Sequence, residues 1–279
     1  MPQLQRASVL RPGGAVRIGP RALLLRLVEY GRRYGRLRKN LRHQHLVLPQ
    51  SRARAADPST TTDFLVNYPG SPDNLNDLFQ WIPVLHRLGE SATVSILLGD
   101  VSAYQAVHEV TDLPCYFGRI ASEAEYVAQQ LQTKVMLYLN QSKLNLREAG
   151  FHDMSHVFLG APGEERKLWL SNRMRLYDYV LAPDEDAKAW LASRLMAYDA
   201  DQHVRVVGRR TDAGSRSGDA AVDAVKSRLP VESVVAGGIN PDAVVTELLQ
   251  IRDERDRLVA ERDADLAARG IVLRKGGQA

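Results

Sequence analysis

The sequence predicts an α/β fold, a single Rossmann-like parallel sheet flanked by a basic N-terminal helix and a charged C-terminal helix. Three observations predict it. Short β-rich runs alternate with helical stretches from residue 63 to residue 208, and strands separated by helices run parallel because a parallel pair needs a crossover connection. Hydrophobic residues make up 44% of a 279-residue chain, which supports a substantial core. No stretch of about 18 apolar residues occurs, and the N-terminus lacks an apolar run followed by a small-residue cleavage site. A cytoplasmic setting is therefore expected.

Taken in order, residues 1–55 read as a basic amphipathic arm. Within it, the segment from Pro20 to His43 sets Leu24, Leu27, Val28, Tyr34, Leu37 and Leu41 near one helical face and surrounds them with arginines. Two readings fit: a helix lying on an anionic membrane surface, peripheral on its inner face, or a helix packed on its own domain. Nucleic acid is disfavoured, since the segment neither interleaves aromatics with its charge nor carries a named motif. Residues 51–63, SRARAADPSTTTD, are polar and without apolar periodicity, which predicts a linker.

The Rossmann-like domain is expected over 56–210, with its first strand at DFLVNY, 63–68. Further strands are expected at TVSILLG, LPCYFG, KVMLYLN, HVFLG, DYVLAP and HVRVVG, each run short, β-rich and preceded by a helical or turn segment. Residues 211–240 read as a second linker. Residues 241–279 read as a charged helix whose stripe Val244, Leu248, Ile251, Leu258 and Leu266 is interrupted by Arg255 and Arg262. Such a helix either docks or self-associates by its first half, as a short coiled coil or a solvated terminal helix.

Charge is uneven along the chain. Met1 to Ala55 holds 13 Lys and Arg against one acid, Glu29, a local charge of +12; the chain total of +4 leaves −8 for the remainder. The single cysteine, Cys115, reads as a buried structural thiol. The histidines show no metal-ligand spacing, and no G-x-S-x-G elbow appears, so neither a metal nor a catalytic triad is nominated. No G-x-G-x-x-G follows the first strand and no G-x-x-x-x-G-K-[ST] occurs, so no cofactor is expected. What remains is three turns at strand ends: YLNQS at 138–142, GAPGEERK at 160–167 and LAPDED at 181–186. In a parallel sheet such turns share one edge.

Those pieces carry a resemblance. LFQWIPVLHRLG, TDLPC, KVMLYLNQSKLN, and HVFLG followed by SNRMRLYDYVLAPDEDA occur in an order that resembles the N-terminal half of the bacterial CDP-glycerol glycerophosphotransferases. That teichoic-acid polymerase group of the cell envelope has the two-domain GT-B architecture of glycosyltransferases. The resemblance covers residues from about Asp63 to Gly208 and implies an N-terminal GT-B lobe with Asn140, Gly160, Glu164, Lys167 and Asn172 lining its cleft. It also implies a defect. The family's histidine, which acts as base toward the acceptor hydroxyl, falls on Ala161 and its glycine on Pro162. Alanine cannot take a proton, and general-base help is typically worth roughly 10²- to 10⁴-fold. The nearest alternatives are His152 and His156, but His156 stands at the opposite end of its strand, on the order of 13 Å from the turn.

In that architecture a second Rossmann domain holds the donor, and the stretch after Gly208 is too short for one. The expectation is a pseudoenzyme: a degenerate glycosyl- or glycerophosphotransferase-like domain acting as a binding or assembly module, with no catalytic residue. The alternative is the acceptor-side subunit of a split transferase completed by a donor-domain partner. Homo-oligomerisation through the C-terminal helix is the other partnership expected.

Overall fold

The computed structural model describes residues 44–159, 172–209 and 239–271, together with Gly31, Tyr34, Gly35, Arg38 and Leu41. The chain forms two compact units, Met1–Arg42 and His43–Ala279. In the first, the five described residues are helical, and Tyr34 and Leu41 are exposed; the rest of the expected basic helix lies outside the described residues.

The second unit is built on one seven-stranded, all-parallel sheet. Each β-rich run expected from the sequence is a strand: β1 Phe64–Tyr68, β2 Val94–Leu98, β3 Cys115–Phe117, β4 Val135–Tyr138, β5 Ser155–Phe158, β6 Tyr179–Ala182 and β7 Val204–Val206. Their spatial order is β3-β2-β1-β4-β5-β6-β7. The order reverses between β1 and β4, so the topological switch point of a Rossmann-like sheet lies there. The central strands are buried on both faces, and β1, β2 and β4 are buried at every residue. This is why they read as continuous rather than alternating apolar runs.

The helices divide between the faces by side-chain parity. On one face, Phe64, Val66, Ile96 and Leu98 pack under α2 (Leu75–Phe79), α3 (Ile82–Gly89) and α4 (Val101–His108). On the other, Leu65, Leu97, Met136, Phe158 and Val180 meet α5 (Ala121–Gln130) and α7 (Glu185–Arg194). Two short helices, α6 (Asn145–Glu148) and α8 (Ala200–His203), complete the connections.

That division leaves Leu137, Val157, Leu181 and Val207 on the α2–α4 face of the sheet's second half without a crossover helix of their own among the described residues. The long helix α9 (Pro241–Ala268) covers them, with Val244, Leu248 and Ile251 in the same core. It starts beside the end of β7, where Arg209 bridges Ile239, with the Asn240 side chain accepting from the Asp242 and Ala243 amides. Ion pairs then bind its flank: Arg87 with Asp242, Arg205 with Glu247 and Glu254, Lys134 with Asp256. Beyond Asp256 the helix leaves the core, and Leu258 is 48% exposed.

The sequence placed a linker over 51–63, and the structure corrects its first part. Residues 44–55 form a helix, α1, that belongs with the sheet. Its buried side chains are Ser51 and Ala55, spaced i, i+4. Apolar periodicity misses such a contact because small residues and hydrogen bonds make it.

Candidate functional site

Ligands of open α/β sheets bind at the carboxyl edge, beside the switch point. Here that edge is made by the turns after β1 and β4. The turn after β1, Pro69 to Ser71, interlocks with the turn after β2: a Cβ on Gly99 would stand 3.0 Å from the Pro69 Cα. After β4 the chain turns through Asn140, whose side-chain amide donates to Asp77 Oδ2 on α2 at 3.1 Å. This hydrogen bond ties the loop after β4 to α2 across the switch point. Asn145 braces the same loop, its Nδ2 donating to the Asn140 carbonyl at 2.7 Å and to the Tyr177 hydroxyl at 3.1 Å.

Beneath this loop lies a buried polar cluster. Asn67, the penultimate residue of β1, is 4% exposed, Asn145 2% and Glu148 0%. Glu148 Oε1 pairs with Arg147 Nη2 at 2.9 Å, and Asn67 lies beside the same carboxyl. Asn145 Oδ1 and Gln141 Nε2 are unpartnered. Burial pushes the Glu148 carboxyl above the usual range, opposed by the Arg147 charge and by Asn67 beside it.

Three helix entrances on this edge, those of α4, α5 and α7, are filled by the chain's own carboxylates. Asp100 caps α4, accepting from the Ser102 and Ala103 amides at 2.8 and 3.1 Å. Asp184 caps α7 through the Ala187 amide at 2.7 Å and also pairs with Arg209. Glu123 reaches back from the first turn of α5 to accept from the Arg119 and Ile120 amides at 2.8 and 3.3 Å. The approach is close because position 118 is glycine, where a Cβ would stand 2.9 Å from the Ala124 amide nitrogen. These amides are the groups a phosphate would take.

Of the residues expected to line the cleft, Asn140 is at the switch point and Asn172 opens the 3-10 turn Asn172–Leu176, exposed. Gly160, Ala161, Glu164 and Lys167 lie outside the described residues. His156 sits in the first half of β5, away from the edge, as its sequence position implied. Its Nε2 is 2.7 Å from the Phe151 carbonyl and its Nδ1 2.8 Å from the Tyr138 hydroxyl. A carbonyl only accepts, so Nε2 carries the proton and Nδ1 accepts from Tyr138. Burial holds the His156 pKa below the ordinary value, and the ring is a neutral core link, not a base facing a cleft. His152 is exposed beside Asp153, ahead of the same strand.

Sequence reading missed Asp77, Asn145, Glu148 and the caps Asp100 and Glu123; it singled out the turn 181–186 that holds Asp184 but not the capping role. The caps had a signal, an Asp directly after a β-rich run in LLGD and LAPD. The cluster had none, because Asn67 and Glu148 come together only when β4 is laid beside β1. Among the described residues, no group of three or more His, Cys, Asp or Glu is placed to hold a metal ion. No protein-family model, curated protein or solved structure matches this chain.

Proposed function

We propose that the chain is a binding module built on a transferase-like lobe, and that it does not itself hold an activated nucleotide. The observation that carries this reading is the occupancy of the helix entrances after β2, β3 and β6 by Asp100, Glu123 and Asp184. A nucleotide diphosphate needs free amides or cations where its charge falls. These carboxylates take the amides and add negative charge. The buried Asn67 and Asn145 amides, with Asn140 above them and Glu148 beside them, instead offer polar donors and acceptors beside the switch point.

Isothermal titration of the full chain with CDP-glycerol tests the reading. No binding is expected at micromolar concentration, and micromolar affinity would overturn the proposal. Ala161→His is expected to leave the chain inactive by itself. Transfer that appears only when a separate donor domain is added would establish the split-transferase alternative.

A further inference from the structure

Strand β3 is an edge of the sheet, and an edge strand carries backbone groups with no neighbour to bond them. In this chain α1 bonds them. The Phe117 amide donates to Ser51 Oγ at 2.8 Å, and the same hydroxyl lies 3.4 Å from the Phe117 carbonyl. Arg54 donates to the Cys115 carbonyl. Its guanidinium also donates to the Tyr104 hydroxyl at 2.9 Å and lies over the Tyr116 ring at 5.3 Å. Arg52 lies over Tyr126, and Gln44 donates to Glu123 at 3.1 Å.

The grip is specific but shallow. Only Ser51 and Ala55 are buried on α1, while Leu46 is 64% exposed. Apolar burial scales with area, so a helix whose only fully buried apolar group is the Ala55 methyl, with Val47 and Leu48 half-buried, is held largely by its polar contacts. Residue 56 begins a turn, and Thr62, the next buried position, is bonded to the Leu131 carbonyl, so α1 can leave without moving β1.

We infer that α1 is a displaceable strap, poised to open below the free energy of global unfolding and thereby to bare the β3 edge. Ser51 and Arg54 are its latch. Opening breaks the bonds to Phe117 and Cys115 and leaves β3 paired to β2 alone.

Native-state hydrogen exchange on the full chain tests this. The Phe117 amide and the amides of residues 48–55 should exchange together, faster than those of Leu65 and Val66 in β1. Ser51→Ala combined with Arg54→Ala should speed Phe117 exchange roughly tenfold or more, as loss of two to three hydrogen bonds implies, and leave Leu65 and Val66 unchanged. Exchange of Phe117 only in step with β1 in the wild-type chain would overturn the strap. So would an unaltered Phe117 rate in the double variant.

Discussion

Glu148 shows how one side chain can be informative about a site that its neighbours in sequence do not announce. Its carboxyl is buried beside Asn67 and is ion-paired with Arg147. Burial raises its folded pKa, so the folded chain keeps this proton to higher pH than the unfolded chain. The stabilising contribution is complete below the unfolded value, near 4.3, and is lost as pH rises through the folded value. Glu148→Gln removes that titration. Relative to wild type, the variant should gain a few degrees in melting temperature between about pH 4 and about pH 7, and an offset that is the same at both would contradict the assignment. His156 is the opposite case, a polar residue whose two nitrogens are both engaged. Its distance from the turn was legible from its place in HVFLG. Its fixed tautomer was not, because Tyr138 and Phe151 reach it from other elements.

The helix α9 divides into a docked half and a projecting half, and the two should respond differently to substitution. Leu248 is fully buried against the sheet, so Leu248→Ala should cost about 2–5 kcal/mol in urea unfolding. Leu258 is 48% exposed, and Leu258→Ala should stay within about 0.5 kcal/mol. Equal effects would mean that the helix is not docked as described. The stripe itself could be read from the sequence, and so could the seven strands, because burial on both faces leaves unbroken apolar runs. The partner of the stripe could not be read. It exists because the crossovers after β4 and β6 fall on one face, which leaves Leu137, Val157, Leu181 and Val207 on the other. Once Val244, Leu248 and Ile251 fill that gap, they are not free to join a second copy of the chain. Self-association through this helix is now a proposal for its projecting half alone.

The charge asymmetry bears on the chain's surroundings. No helix among the described residues is long and apolar enough to cross a membrane. We propose that the basic arm engages an anionic surface, and the boundary at Arg42 sharpens the test, since residues 1–42 hold 11 Lys and Arg against the single Glu29, a charge of +10. Deleting residues 1–42 should abolish co-sedimentation with vesicles containing phosphatidylserine while leaving the melting temperature of the sheet unit unchanged. Persistent sedimentation would place the binding elsewhere. Composition and run length were enough to establish the α/β class, every strand and the concentration of positive charge in the first residues, because these follow from local propensity and from burial patterns that repeat within one segment. Strand order, the seating of α1 on an edge and of α9 on an open face, and the meeting of Asn67 with Glu148 were decided by the fold. Each joins residues far apart in the chain, and what selects such a contact is the surface another element leaves exposed, which no single stretch encodes.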